Sequence, residues 1–153
     1  MVRLFLIACM TLLMAACSTV PSPVGEEATQ LRCADCRTMS VQRVIDGDTF
    51  DTPSIRVRLF GVDTPERGEA CFKDATNRLR SLAGSQIRVE PGPRAQDQGG
   101  RLILYVYTQD GNSIDEILIR EGLAVAWTRD GQHRDYLVAL AKEAQTKETG
   151  CIW

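Results

Sequence analysis

Arg56-Val57-Arg58-Leu59-Phe60-Gly61-Val62-Asp63-Thr64-Pro65-Glu66 is the stretch whose reading decides the fold. It opens with the alternation of a β-strand: Val57, Leu59 and Gly61 face one way, Arg56, Arg58 and Phe60 the other. It then runs into Asp63-Thr64-Pro65-Glu66, where a proline with no N–H to give ends the ladder. One guanidinium and two carboxylates therefore sit on a rigid strand and the turn after it.

Two further pieces belong with this one. Val44-Ile45-Asp46-Gly47-Asp48-Thr49 is an acidic turn upstream, and Asp97-Gln98-Gly99-Gly100-Arg101 is a polar loop downstream. Alone, Asp46-Gly47 reads as a hairpin turn, Asp63-Thr64-Pro65-Glu66 as a helix-entry cap, and each arginine as a surface residue. Together they supply carboxylates and guanidinium groups in one chain order. The expectation is that the three stretches converge on one metal ion and one phosphodiester.

The chain has 153 residues, enough for one domain with a real core. Its net charge is −2, one unit more negative without Arg3. That balance excludes a protein that holds nucleic acid by bulk positive charge, so any such contact must be local and assisted by metal.

Residues 1–16 read as a leader: a short positive start, then an apolar run from Leu4 to Ala16 that is too short to span a bilayer stably. Leu13-Met14-Ala15-Ala16-Cys17 resembles a bacterial lipoprotein box, which implies a lipid on Cys17. The alternative is plain cleavage after Ala16. We favour the lipid because Ser18-Thr19-Val20-Pro21-Ser22-Pro23 follows as a tether. Serine after the cysteine resembles outer-membrane retention. The expected location is the outside of the cell, anchored to the envelope, or secreted if no lipid is added.

Residues 17–37 are assigned to the tether and a Cys33-Ala34-Asp35-Cys36 segment, with about 18 to 32 flexible, and residues 38–153 to the folded domain. Cys33, Cys36, Cys71 and Cys151 remain once Cys9 and Cys17 are set aside. In an exported chain four thiols read as two disulfides, with three connectivities open. We favour Cys71 with Cys151 and Cys33 with Cys36. Zinc lacks nearby ligands, and a redox motif lacks its strand-to-helix context.

Strands are expected over Met39–Ile45, Thr49–Phe50, Ile55–Val62, Gln86–Glu90 and Leu102–Tyr107, with Pro91-Gly92-Pro93 ending the fourth. Helices are expected over Glu69–Ala83, Ile114–Arg120 and Gln132–Glu148, with Ser113 and Glu116 forming a capping box. Leu123–Trp127 reads as extended. The fold class is α+β, mainly β: a five-stranded OB-type barrel with three helices.

The motifs at 44–49, 58–66 and 97–101 resemble the staphylococcal nuclease (thermonuclease) family in order and spacing. Glu121-Gly122-Leu123-Ala124, Glu143-Ala144-Gln145 and the terminal Ile152-Trp153 extend the likeness to the end of the chain. The resemblance implies an OB-fold, calcium-dependent phosphodiesterase acting on DNA and RNA and leaving 3′-phosphates. It implies Asp48 and Asp63 as Ca2+ carboxylates, Thr64 as a carbonyl donor, Arg58 and Arg101 as phosphate clamps, and Glu66 as the group that activates or orients water. The chemistry agrees: Ca2+ takes six to eight oxygens in loose geometry, and paired guanidinium forks match the charge on a phosphoryl transition state. Nucleic acid is the expected substrate, and a monomer the expected state.

The sequence departs from the family in three places. Gln98 and Gly99 stand where a basic and an aromatic residue are usual. The stretch from Arg67 to Ala70 is short. The overall charge is slightly acidic, which weakens long-range steering of polyanions. Asp97 is expected to cap its loop, His133 to cap the last helix or lie on the surface, and Trp127 to sit in the core or at a rim. The competing reading is an inactive binding module on the same barrel.

Overall fold

A computed structural model describes residues 29–153. The expected leader, the lipid site at Cys17 and most of the tether lie outside these residues. The main sheet has six strands in the order β1-β6-β7-β4-β3-β2. These are β1 Arg37–Ser40, β2 Arg43–Val44, β3 Thr49–Asp51, β4 Arg56–Leu59, β6 Gln86–Gln96 and β7 Leu102–Tyr107. β5 Val62–Asp63 pairs separately with β8 Val125–Ala126. The sheet curls into a half-barrel, and three helices complete the α+β OB class: α1 Phe72–Ala83, α2 Ile114–Arg120 and α3 Arg134–Thr146.

β4 is the central strand because its alternation serves two surfaces. Val57 and Leu59 are fully buried among Phe50, Leu79, Ile87, Val106 and Leu118, while Arg58 stays half-buried on the other face. Burying side chains of this size stabilises the fold by about 1.5–3 kcal/mol each. Antiparallel pairing sets Thr49 opposite Arg58, and parallel pairing sets Leu102 opposite Val57. The register thus places the Asp48 turn on one side of Arg58 and Arg101 on the other.

β4 ends at Leu59, three residues before the expected Val62, and packing fixes the bend that follows. Gly61 lies against α2 and α3: a Cβ there would come within 2.5 Å of Leu137 Cδ1 and 2.8 Å of Asp115 Oδ1. Its N–H donates to Asp115 Oδ1 at 2.8 Å, and Val106 N–H donates to Asp115 Oδ2 at 3.2 Å. This buried carboxylate pins the chain just before it turns into Asp63.

Several boundaries differ from expectation. β6 does not stop at Glu90 but continues through Pro91-Gly92-Pro93 to Gln96. β1 pairs with β6 only as far as Val89, so both prolines lie where that flank asks for no N–H. A register shift between Pro91 and Gln96 absorbs the irregularity. α1 begins at Phe72 rather than Glu69, because Cys71 takes a left-handed backbone with φ 66°. The expected first strand splits into β1 and β2. α3 is shorter at both ends, with His133 at its N-cap making no side-chain cap bond.

The capping box forms only by half. Ser113 accepts from Glu116 N–H at 3.1 Å, but the Glu116 carboxylate turns elsewhere. It accepts from Gln30 N–H at 2.9 Å and Leu31 N–H at 2.8 Å. The end of the expected tether is therefore docked on the domain, with Thr29 buried and Arg32 bridged to Asn112. Both disulfides are Cys33–Cys36 and Cys71–Cys151, as favoured above. Among the described residues no helix is long and apolar enough to cross a membrane.

Burial away from water, only partly offset by the Val106 and Gly61 N–H groups, pushes the Asp115 carboxyl up to about 6. Between the ordinary carboxylate range and pH 6 the folded protein keeps a proton that the unfolded chain has released. The resulting stability is present at low pH and is lost as pH rises through 6. Urea unfolding of the parent and of Asp115→Asn should differ by about 1 kcal/mol more in the parent's favour at pH 5 than at pH 7. Equal differences at both pH values would show that Asp115 does not titrate there.

Candidate active site

Arg58 joins two turns. Its Nη1 lies 2.5 Å from Asp48 Oδ1 and its Nη2 lies 2.5 Å from Asp63 Oδ1. The three expected residues therefore share one place. Burial alone would lower the Arg58 pKa, but the Asp48 and Asp63 carboxylates outweigh it and hold the guanidinium charged above its ordinary value.

Asp48 is the buried anchor, 3% exposed. Oδ1 also accepts from Thr49 Oγ1 at 2.9 Å, and Oδ2 accepts from Thr64 N–H and Thr64 Oγ1, each at 3.1 Å. Gly47 permits this approach, because a Cβ there would lie 2.7 Å from both Ala75 Cβ and Thr64 Oγ1. Asp46 serves the turn itself, accepting from Asp48 N–H at 3.2 Å. Asp63 differs in environment: its side chain is 51% exposed and open to a ligand.

Glu66 and Arg101 complete the place. A cleft of about 280 Å³ is lined by Arg58, Asp63, Glu66 and Arg101 together with Leu59, Phe60, Arg94, Asp97, Ile103 and Trp127. The backbone N–H of Glu66 donates to Glu69 Oε2 at 2.7 Å, and Glu66 itself is exposed to water. Asp97 caps its loop as expected, accepting from Gly99 N–H and Arg101 N–H at 2.9 Å each. It also holds Arg101 Nε at 2.6 Å, so the terminal nitrogens of Arg101 remain for a ligand.

The donor set suits a hard divalent cation. Two carboxylates are brought to one guanidinium beside an open cleft that Asp63 lines and Asp48 does not, and Thr64 holds Asp48 through its N–H and hydroxyl. Among the described residues no group of three or more acidic, histidine or cysteine side chains is placed to hold a metal ion. Water and substrate oxygens would have to finish the shell, which such an ion accepts.

A family model described as staphylococcal nuclease homologue matches residues 56–153. The chain belongs to the staphylococcal nuclease family. An endonuclease described as uncharacterized from Escherichia coli O157:H7 is 32% identical over 127 residues, covering 79% of each chain. A thermonuclease from Staphylococcus intermedius is 36% identical over 126 residues, 74% of each. A micrococcal nuclease from Shigella flexneri is 35% identical over 127 residues, 74% of this chain and 71% of the other. The protein is a nuclease, a hydrolase of phosphodiester bonds.

The nuclease has a second cleft, of about 430 Å³, that sequence reading missed. Arg94, Gln98, Gly99, Arg101, Trp127 and Arg129 line it with Asp97 and Asp130. Trp127 is thus at a rim, where Arg129 and Arg94 lie 5.1 Å and 5.9 Å from the ring centre. Asp130 ties this edge together, accepting from Trp127 Nε1 at 2.8 Å and from Arg94 Nε at 2.5 Å. The signal was the pair Arg129-Asp130 two residues after Trp127, facing a strand that runs on past Pro91-Gly92-Pro93. His133 lies away from both clefts' linings, half-buried, with Nε2 3.0 Å from Glu90 Oε2.

Asp97→Ala should loosen the Arg101 fork and its loop. The expected outcome is a fall in kcat of roughly tenfold with a stability loss of about 1 kcal/mol. Steady-state cleavage and urea unfolding of the same preparation check both. Parent-like kcat would mean that Asp97 does not orient Arg101.

Proposed function

We propose that this nuclease is an exported, calcium-dependent enzyme that hydrolyses DNA and RNA and prefers single strands. The observation that carries this reading is Arg58 spanning Asp48 and Asp63 at the mouth of the cleft shared with Glu66 and Arg101. Asp48, Asp63 and Thr64 would hold Ca2+, which when bound polarises the phosphate and offsets charge between substrate and carboxylates.

The residues of the chain divide the remaining work. Glu66 accepts a proton from, or orients, the attacking water, since its carboxylate is exposed and unpaired. Arg58 and Arg101 place paired N–H donors where negative charge grows on the phosphoryl oxygens. The chain's own acidity makes those local cations essential. The second cleft, with Trp127 beside Arg94 and Arg129, supports a splayed strand whose base meets a ring and whose phosphates meet guanidinium groups. The product is a 3′-phosphate end by family likeness. The enzyme acts as a monomer outside the cell, tethered to the envelope through lipid on Cys17.

Purified mature protein incubated with denatured DNA should cleave in calcium and stop in chelator. Arg58→Ala and Arg101→Ala should each lower kcat by about 10²–10³, and Glu66→Ala by about 10²–10⁴. A parent that binds DNA yet cleaves neither DNA nor RNA in any divalent ion would identify a binding module instead. Rates at limiting DNA should also fall with added salt, with a modest slope set by the few cations that hold the polyanion. Salt-independent rates would contradict that electrostatic picture.

A further inference from the structure

We propose that the Cys71–Cys151 disulfide is a positioning device for Glu66, acting on turnover rather than on substrate binding. The inference rests on the nuclease reading and on the role given to Glu66.

Glu66 lies on an exposed segment between β5 and α1. Residues 66 to 70 are all exposed. Within them the chain makes one small closed turn, in which Glu69 N–H donates to Glu66 carbonyl oxygen at 2.9 Å and Glu66 N–H donates to Glu69 Oε2. Gly68 in that turn has φ 99°, a left-handed backbone. Nothing in the segment is buried; apart from Arg67, whose guanidinium lies 5.6 Å from the Phe72 ring centre at the start of α1, it is held at its two ends.

The upstream end is Thr64, fixed by two hydrogen bonds to buried Asp48. The downstream end is Cys71. It caps α1 without a side-chain cap bond and with φ 66°, a conformation that side-chain-bearing residues adopt only when their surroundings impose it. The bond to Cys151 supplies that constraint. Cys151 is itself held, because its N–H and that of Ile152 donate to Gly122 carbonyl oxygen at 3.3 Å and 3.4 Å. The tail lies so close that a Cβ on Gly122 would fall 1.7 Å from Thr149 carbonyl oxygen. The same corner is tied to α1 by Arg78, whose Nε and Nη2 fork onto Glu121. The disulfide therefore joins the far end of the Glu66 segment to a fixed corner.

Arg58 and Arg101 depend on none of this. They sit on β4 and just before β7, and their partners are Asp48, Asp63 and Asp97. Opening the disulfide thus frees the carboxylate that faces water while leaving the phosphate clamps in place. The readout that separates positioning from mere stability is a kcat effect at constant KM, and one that needs Glu66 to be present.

The test compares parent, Cys71→Ser/Cys151→Ser, Glu66→Ala, their combination and Cys33→Ser/Cys36→Ser. Each is assayed on denatured DNA with calcium, well below its own melting midpoint. The expected result is a kcat roughly tenfold lower in Cys71→Ser/Cys151→Ser with KM unchanged, no further fall when Glu66→Ala is already present, and parent-like kcat in Cys33→Ser/Cys36→Ser. Parent-like kcat in folded Cys71→Ser/Cys151→Ser overturns the proposal. So does a rise in KM at constant kcat, or an equal further fall on top of Glu66→Ala. If that variant does not fold, folded Cys33→Ser/Cys36→Ser protein is reduced with dithiothreitol, which passes two electrons to the remaining bond and leaves two thiols and a cyclic disulfide. Initial rates taken at once should then drop by the same factor, and unchanged rates overturn the proposal. A parent that never cleaves removes the nuclease reading and this inference together. An unimpaired Glu66→Ala removes the Glu66 role and this inference. A cleaving parent with impaired Glu66→Ala and unimpaired Cys71→Ser/Cys151→Ser removes this inference alone.

Discussion

One guanidinium holding two carboxylates from different turns is the constraint that organises this molecule. Arg58 is largely sheltered, with its side chain 14% exposed, and Asp48 more so at 4%. A charge taken that far from water is costly unless its partners are placed well. Much of the surrounding architecture does that placing. Gly47 lets the Asp48 turn approach Thr64 and α1, and Gly61 lets the end of β4 press against Leu137 and Asp115. The register of β4 between β3 and β7 then leaves one side of Arg58 for acids and the other for Arg101.

The arrangement also reconciles an acidic chain with a polyanionic substrate. Net charge says little about where charge sits. Around the two clefts Arg58, Arg94, Arg101 and Arg129 gather on one edge. Most are steered by a carboxylate: Asp97 takes one nitrogen of Arg101, and Asp130 takes Arg94. Each carboxylate fixes a fork and leaves donors over. Local pre-organisation of this kind substitutes for the long-range attraction that the total charge does not provide.

The site was more legible in the sequence than the frame around it. Asp48, Arg58, Asp63, Glu66 and Arg101 fall in short motifs whose residue types are dictated by chemistry, so they survive reading one residue at a time. β6 was cut short because Pro91-Gly92-Pro93 normally ends a ladder; here one flank has no partner beyond Val89, so no N–H is missed. That error hid the meeting of Arg94 with Trp127. The docking of Gln30 and Leu31 on Glu116 was hidden for another reason. A polar segment reads as a tether unless a buried acceptor waits for its backbone, and local composition carries no record of an acceptor far along the chain. α1 starts at Phe72 behind a left-handed Cys71 that is bonded to a cysteine 80 residues away, and neighbouring residues carry no signal of that backbone turn.

The central claim is that Asp48 and Asp63 serve one cation site across Arg58. A double-mutant cycle on calcium-dependent cleavage, using Asp48→Asn, Asp63→Asn and both together, tests it most directly. The account predicts that the second substitution adds little to the loss caused by the first, because either one dismantles the same site. Losses that multiply, as for two independent groups, would contradict it.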